Sequence, residues 1–151
     1  MGDAATPSTA TLRRARQDDA AELARLSAQL GYPQQDVVFA ARLRRLLVSA
    51  DHPVIVASDD GRTLLGFVAI ERRLLLEAGE RVEIVGLVVD DRARRRGIGQ
   101  ALVRAAEDWA RDIGVAELMV RSNAARAESH PFYEGRGFVR AKTQHVYRKR
   151  L

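Results

Sequence analysis

The stretch that decides the fold is Val85-Gly-Leu-Val-Val-Asp-Asp-Arg-Ala-Arg-Arg-Arg-Gly-Ile-Gly-Gln-Ala-Leu102. Residues 85–89 are apolar and mostly β-branched, interrupted only by Gly86, which is typical of a strand covered on both faces. From Gly97 onward the period changes, because apolar residues recur at steps of three or four, as on one face of a helix: Ile98, Leu102, Ala105, Trp109 and Ile113. The stretch therefore predicts a buried strand, a basic turn and the start of a helix.

The turn between this strand and this helix is suited to binding a phosphate or a pyrophosphate. Gly97 and Gly99 lack a Cβ atom, so the backbone can approach a bulky anion. The first N–H groups of a helix have no intrahelical partner, and the helix dipole adds partial positive charge there. The arginines at positions 92, 94, 95 and 96 add full charges. An ordinary glycine-bearing turn with solvated arginines has the same composition, so the turn alone leaves that alternative open.

Two common phosphate-binding motifs do not fit this turn. The P-loop ends in Gly-Lys-Ser/Thr, whereas this helix begins Ile98-Gly99-Gln100. The dinucleotide fingerprint needs a third small residue, where Leu102 stands, and an acidic residue after a second strand, which Val120-Arg121-Ser122 does not offer. The remaining pattern, Arg94-x-x-Gly97-x-Gly99, resembles the acetyl-CoA-binding motif of the GNAT superfamily, the CoA-dependent N-acyltransferases.

A second motif, Asn123 followed by His130-Pro-Phe-Tyr-Glu-Gly-Arg-Gly-Phe138, extends the resemblance to small bacterial single-domain members of that superfamily. The resemblance implies that Tyr133 donates a proton to the departing CoA thiolate and that Asn123 touches the pantetheine arm. The alternative for Tyr133 is a packed aromatic ring beside Phe132. Pro131 fits the first turn of a helix but disrupts an interior turn, so this helix either begins near His130 or is kinked.

The pattern of the whole chain is similar to the GNAT fold. The predicted element order is β-α-α-β-β-β-α-β-α-β-β, with a last hairpin over residues 137–149. The resemblance implies an α/β protein (α+β by some schemes) with a mixed, mostly antiparallel sheet of six or seven strands and about four flanking helices. Its central parallel pair is expected to splay apart to hold CoA. We expect residues 1–10 to form a disordered tail and residues 11–151 to form a single N-acetyltransferase domain.

Composition excludes several other classes of protein. Lys and Arg total 25 of 151 residues against 20 Asp and Glu, a net charge of +5, but acids and bases alternate along most of the chain, so we do not expect nucleic-acid binding. The chain has no cysteine, and its histidines lack metal-ligand spacing, so no metal is expected. No run approaches about 18 apolar residues and no signal peptide is recognised, which predicts a cytoplasmic protein without a membrane span.

The reaction that the resemblance implies is direct transfer of an acetyl group from acetyl-CoA to an amine. A lysine-like amine has a pKa of about 10.4, so its deprotonation at pH 7 costs about 4.6 kcal/mol, and a general base relieves that cost. The candidate base is Glu83, with Glu71 and Glu80 as weaker alternatives. A strand carboxylate paired with a neighbouring arginine is the competing interpretation of Glu83.

The predicted cofactor site covers the strand end, the basic turn and the helix start. In the family, main-chain groups of this strand bind the pantetheine amides and polarise the thioester carbonyl, and Gly86 is a candidate contributor to a bulge that opens the strand. The predicted cofactor-binding residues are Leu87, Val88, Val89, Arg94, Arg95, Arg96, Gly97, Ile98, Gly99, Gln100, Ala101, Asn123 and Tyr133.

The sequence thus predicts an N-acetyltransferase that acts on a primary amine of a small molecule. Two alternatives remain open: a protein lysine or N-terminal acetyltransferase, and a non-enzymatic module that senses CoA or binds nucleic acid. In this fold the acceptor cleft is built by the segments Gly31-Tyr-Pro-Gln34 and Lys142-Thr-Gln-His145. A homodimer is expected because dimers are common among members of the superfamily.

Overall fold

The computed structural model describes residues 10–122, Ala124 and residues 129–151, apart from the side chain of Ser129. The predicted disordered tail and Asn123 therefore lie, except for Ala10, outside the described residues. The chain divides after Val120 into two compact units, which are described separately below. The predicted single domain over residues 11–151 stays a prediction.

The first unit is built on a mixed sheet of five strands whose spatial order follows the chain. Strands β1 to β4 are antiparallel neighbours, and β5 runs parallel to β4 because α3 connects the two. This topology confirms the predicted mixed, mostly antiparallel sheet with a parallel pair. The strands are β1 (Thr11–Arg14), β2 (Val54–Ser58), β3 (Leu64–Leu75), β4 (Gly79–Val89) and β5 (Leu118–Val120).

Four α-helices are present among the described residues, in agreement with the predicted number, and two short 3-10 turns precede α1 and α3. None of the helices in this part of the chain is long and apolar enough to cross a membrane. The helices are α1 (Ala20–Gln29), α2 (Asp36–Leu47), α3 (Ile98–Asp112) and α4 (Ser129–Glu134), and the 3-10 turns are Gln17–Asp19 and Asp91–Ala93.

The strand count is lower than predicted, because the hairpin expected over residues 137–149 is not formed. Residues 138–151 contain neither helix nor strand, and every residue from Val139 to Leu151 is exposed. The segment lacks the Asn-Gly or Asp-Gly signal of a tight hairpin, and two strands without a covered face are marginally stable in water. The described sheet accordingly has five strands rather than six or seven.

The core of the first unit lies on both faces of the sheet. On one face α1 and α2 pack through Leu23, Leu26 and Leu43 onto strand residues that include Val56 and Phe67. On the other face α3 buries a stripe of five residues, Ile98, Leu102, Val103, Ala106 and Ala110.

The buried stripe of α3 differs from the predicted one toward the end of the helix, where Ala106 and Ala110 are buried and Ala105 and Trp109 are only half-buried. Alanines stand at both 105 and 106, so hydrophobicity did not distinguish the two positions. The small alanine side chains let the helix approach the sheet closely.

Gly66 marks the closest approach between strands near the start of α3. A Cβ atom at this position would stand 2.6 Å from the carbonyl oxygen of Val88 and 3.2 Å from a methyl group of Leu102. The register between β2 and β3 shifts beside it, between Ala57 and Ser58. The absence of a side chain thus lets β3 and β4 pack under the start of α3.

Candidate functional site

The parallel strands β4 and β5 separate in the middle of the sheet. They pair at only three positions, Val82 with Leu118, Glu83 with Met119 and Ile84 with Val120. Beyond Ile84, among the described residues, β4 continues to Val89 with a strand partner on the β3 side alone. The predicted splayed pair is therefore present, and it leaves one edge of residues 85–89 without a strand.

A bulge in β4 lies where this separation begins. Ala69 of β3 pairs with Gly86 and the next residue, Ile70, pairs with Ile84, so Val85 has no partner opposite it. Val85 is 54% exposed although it stands in the middle of the strand. Such a bulge increases the local twist and bends the strand away from its neighbour. The extra residue is Val85, and Gly86 is the small residue directly after it.

The basic turn places backbone N–H groups at the N-terminus of α3. Arg95 and Gly97 both adopt left-handed backbone conformations, with φ of 68° and 73°. The first intrahelical bond joins the N–H of Ala101 to the carbonyl of Gly97 across 3.0 Å, so the three preceding N–H groups, at residues 98–100, lie outside the helical ladder. A left-handed conformation at a residue other than glycine is costly and is concentrated at ligand-binding sites. This geometry suits an anion.

The predicted arginines surround this turn. Arg94 and Arg95 are exposed, and Arg96 is half-buried. Arg94 pairs with Asp91 across 2.9 Å, and Arg96 makes two hydrogen bonds to Asp59, at 3.0 and 3.1 Å. Exposed ion pairs of this kind contribute little free energy, so the carboxylates hold these guanidinium groups only weakly.

The strand end is anchored by a buried carboxylate that sequence reasoning did not select. Asp90 is only 2% exposed, and its carboxylate accepts hydrogen bonds from the guanidinium of Arg25 at 2.9 Å and from the N–H of Arg92 at 3.1 Å. Burial raises the pKa of this carboxyl, but the Arg92 N–H and the Arg25 guanidinium outweigh burial and lower the pKa to about 2. The signal in the sequence was an acidic residue between a buried strand and a basic turn.

Glu83 lies at the mouth of the opening between β4 and β5. Its side chain is 6% exposed, and Oε2 accepts a hydrogen bond from Nη1 of Arg73 across 3.0 Å. It stands opposite Glu71 on β3 and opposite Met119 on β5, one residue before the last parallel pair. A buried carboxylate thus stands immediately beside the unpaired edge of β4.

The sheet face that carries Glu83 also carries both small residues and further charges. The next pair of residues on this face is Ala69 and Gly86, both small and half-buried. The pair on the other side is Arg73 and Arg81, two like charges in register, an arrangement that is unfavourable in itself. Nε of Arg81 is buried without a hydrogen bond among the described residues.

The second unit contains the short helix that presents Tyr133. Pro131 is the third residue of α4, which begins at Ser129, so the proline stands in the first turn and does not kink the helix. The ring of Tyr133 is half-buried and makes edge-to-face contacts with Phe132 and Phe138, with centroids 5.3 and 5.6 Å apart. Local packing thus fixes this tyrosine whatever its chemical role.

The histidines show no metal-binding arrangement in the described residues. Nδ1 of His52 lies 2.7 Å from the hydroxyl of Ser49, and its Nε2 lies 3.9 Å from Glu71. Within residues 10–122, 124 and 129–151 no group of three or more His, Cys, Asp or Glu side chains is placed to hold a metal ion.

Comparison with known proteins defines the class. The family described as Acetyltransferase (GNAT) family matches residues 17–138, which is most of the chain. The chain belongs to this family. It is an N-acetyltransferase of the acetyl-CoA-dependent class of acyltransferases.

Two relatives are named as N-acetyltransferases of glucosamine 6-phosphate and of aminoglycosides. Glucosamine 6-phosphate N-acetyltransferase 1 from Oryza sativa subsp. japonica is 33% identical over 116 residues, which cover 74% of this chain and 68% of that protein. Aminoglycoside N(6′)-acetyltransferase type 1 from Klebsiella aerogenes is 33% identical over 101 residues, covering 65% and 66% of the two chains.

Solved structures support the fold. An aminoglycoside N-acetyltransferase in complex with CoA superposes with a TM-score of 0.84 at 21% identity, over 94% of this chain and 95% of that one.

Proposed function

We propose that this enzyme transfers an acetyl group directly from acetyl-CoA to a primary amine of a small molecule. The observation that carries the proposal is continuity along β4. The buried Glu83, the unpaired edge of residues 85–89 and the anion-binding turn at the start of α3 follow one another along a single stretch of backbone. A molecule with a reactive thioester at one end, two amides in the middle and a pyrophosphate beyond them matches that order.

Acetyl-CoA is proposed to lie along β4 and the start of α3, because its parts match the polar groups found there. The pantetheine amides pair with the main-chain groups that point to the unpaired edge of residues 87–89, as an added strand would. The pyrophosphate then binds the N–H groups at the start of α3, where the helix dipole and the arginines around it favour negative charge. Gly97 and Gly99 keep this surface free of side chains.

Glu83 is proposed to accept the proton of the acceptor amine, directly or through a water molecule. At neutral pH the amine is protonated, and transfer of its proton to the carboxylate frees the nitrogen lone pair for attack on the thioester carbon. The proposed place of the amine is beside the small residues Ala69 and Gly86, on the same face as the carboxylate.

Attack gives a tetrahedral intermediate whose oxyanion is stabilised by a main-chain N–H of β4 in the range Leu87–Val89. When the intermediate collapses, the carbon–sulfur bond breaks and the CoA thiolate leaves. The nitrogen keeps the acetyl group and releases its second proton to water, which gives the neutral amide. Tyr133 is proposed to protonate this thiolate, the role that tyrosines at this position have in the family. A thiol has a pKa near 8.5 and tyrosine near 10, so this proton transfer helps the reaction rather than dominating it.

The acceptor is proposed to be an amino sugar or an aminoglycoside, as in the relatives named above. Support comes from the sheet face that carries Glu71 and Glu83, called the acceptor face below, where an ammonium group can take the place of the Arg73 guanidinium beside the two carboxylates. The test is the release of free CoA from acetyl-CoA in the presence of an aminoglycoside, glucosamine 6-phosphate, a polyamine and a lysine-containing peptide. Turnover with a sugar amine supports the proposal, and turnover with the peptide alone replaces it by protein acetylation.

The matched control is Gly97→Glu, which sets a carboxylate in the anion site and strains a left-handed backbone position. Turnover that survives this substitution contradicts the assignment of the turn to the donor. Binding of acetyl-CoA to the wild type without turnover on any amine indicates the alternative of a CoA sensor. Residence in the cytoplasm and assembly as a homodimer remain predictions; gel filtration with light scattering tests the second.

A further inference from the structure

Two side chains of helix α1 contact the start of the basic turn between β4 and α3, which is called the donor turn below (residues 90–97). Arg25 donates to Oδ2 of Asp90 at 2.9 Å, and the amide of Gln29, one helical turn later, accepts a hydrogen bond from the N–H of Asp91 at 3.2 Å. Nε2 of the same Gln29 amide lies 3.5 Å from Oδ1 of Asp90. Two side chains on one face of a helix thus contact two consecutive residues at the end of β4.

The same guanidinium fixes the neighbouring strand. Nη2 of Arg25 donates to the carbonyl of Leu64 at 3.0 Å, and Glu22, which pairs with Arg25 at 2.7 Å, accepts from the N–H of Leu64 at 3.0 Å. The N–H of Asp90 donates to the carbonyl of Leu65 at 2.8 Å. The start of β3, the end of β4 and helix α1 are therefore joined around the Asp90 carboxylate.

Asp90 also accepts two hydrogen bonds from residues of the turn that follows it. Its carboxylate accepts the N–H of Arg92 at 3.1 Å, and its carbonyl accepts the N–H of Ala93 at 2.9 Å, which closes the 3-10 turn. Ala93 is 2% exposed, so the turn is held from inside as well. The left-handed residues Arg95 and Gly97 follow directly.

We propose that Asp90, held by Arg25 and Gln29, is a positioning residue that sets the donor turn for the pyrophosphate of acetyl-CoA. This inference rests on the proposed function and adds to it a set of residues outside the phosphate-binding segment. Asp90 is buried and carries the same sign of charge as the pyrophosphate, so it acts through the backbone of the turn. Its loss therefore weakens the phosphate end of the donor and spares the thioester end.

The experiment compares two donors in the intact enzyme, acetyl-CoA and acetyl-pantetheine, the second of which has no phosphate. For Asp90→Asn we expect KM for acetyl-CoA to rise about tenfold with kcat at saturation nearly unchanged, while kcat/KM for acetyl-pantetheine stays within about twofold of the wild type. Gln29→Ala, at an exposed position that does not affect the core, is expected to change KM in the same direction by about threefold. Asp108→Asn, an exposed carboxylate paired with Arg111, is the matched control and is expected to change neither constant.

The outcomes separate this inference from the proposed function. Wild-type turnover with acetyl-CoA tests the function itself. In an active wild type, an equal loss with both donors in either variant shows a general structural role and overturns the positioning role. Unchanged KM for acetyl-CoA in both variants also overturns it. If Asp90→Asn does not fold, the Gln29→Ala result alone decides between the two.

Discussion

The guanidinium of Arg73 donates a hydrogen bond to Oε2 of the buried Glu83 across 3.0 Å. Its Nε lies 3.1 Å from Oε1 of Glu71, so one cation is shared by both carboxylates of the proposed acceptor face. The side chain of Arg73 is 30% exposed, against 6% for Glu83. The arginine is therefore the partner that can move aside when a cationic acceptor arrives.

Removal of this cation is expected to change the preference for the charge of the acceptor. In Arg73→Gln the face keeps two carboxylates and loses one positive charge. We expect a polycationic aminoglycoside to bind about threefold to tenfold more tightly and glucosamine 6-phosphate to bind more weakly by a similar factor. Apparent binding constants, measured with each compound as substrate or as competitive inhibitor, test this.

The matched control for that prediction is Arg72→Gln. Arg72 is the neighbouring residue on β3, faces the opposite side of the sheet and pairs with Glu80 at 2.7 Å. We expect it to leave the ratio of the two binding constants unchanged. Equal changes in the ratio for both variants would mean that the net charge of the protein, rather than the acceptor face, is responsible.

Glu83→Gln is expected to lower kcat about a hundredfold at pH 7, because the amine then reaches its neutral form without a base. The deficit should shrink as pH rises toward the pKa of the acceptor amine, where free amine is already present. Glu71→Gln, which changes the residue directly opposite, provides the comparison and is expected to keep most of its activity. Rate profiles that are parallel across the whole pH range would exclude Glu83 as the base.

Much of the first unit could be predicted because its signals are local. The strand 85–89 and the helix that starts at Ile98 follow from a change of hydrophobic period within eighteen residues, and the parallel β5 follows from the helical connection. Alternation along a strand puts Glu83 on the face opposite to Val82 and Ile84, and the structure has all three buried. Local patterning thus gave both the elements and the facing of the candidate base.

What could not be predicted depends on contacts between distant residues. Arg25 and Asp90 are 65 positions apart, and no periodicity connects an arginine in α1 to the end of β4. The unpaired residue of the bulge is Val85, although Gly86 has the more permissive backbone, because the register of β3 against β4 decides which residue is left over. Pairing of this kind is a property of the folded sheet.

Tyr133→Phe tests the proposed acid without disturbing the packing of α4. The edge-to-face contacts with Phe132 and Phe138 use the ring, which phenylalanine retains, so the melting temperature should stay within a few degrees of the wild-type value. We expect kcat to fall about tenfold or more, because the thiolate then takes its proton from water. An aryl thioester used as the acetyl donor should restore most of the rate, because its thiolate leaves without needing a proton. Full activity of the variant with acetyl-CoA would reduce Tyr133 to a packing residue.

Gly66→Ala is expected to destabilise the sheet under the donor turn. The added methyl group would meet the carbonyl oxygen of Val88, a backbone atom, at 2.6 Å, and side-chain methyl groups of Leu102 and Ile98 at 3.2 and 3.3 Å. A loss of about 2 to 3 kcal/mol in the free energy of unfolding is expected, as for other overpacked positions. Gly86→Ala is the comparison, because its new atom would meet Phe67 and Ala69 at ordinary contact distances of 3.6 and 3.7 Å. Chemical denaturation of both variants should separate them, and equal stabilities would show that the β3–β4 spacing adapts.

The buried carboxylate of Asp90 is expected to make the stability of the protein depend on pH in acid. The pKa of Asp90 falls from 3.8 to about 2 on folding, because hydrogen bonds from Arg92 and Arg25 overcome the effect of burial. A carboxyl whose pKa is lower in the folded state stabilises it above the unfolded pKa, and that contribution disappears as pH falls toward the folded pKa. The difference between the two pKa values corresponds to about 2 kcal/mol of stabilisation of the folded state. This stabilisation is present at pH 7 and is lost mostly between about pH 4 and pH 2. Asp90→Asn should therefore have a flatter dependence of unfolding free energy on pH in this window, measured by urea denaturation, while Asp108→Asn should follow the wild type. Identical slopes for wild type and Asp90→Asn would mean that this carboxylate does not keep its lowered pKa in solution.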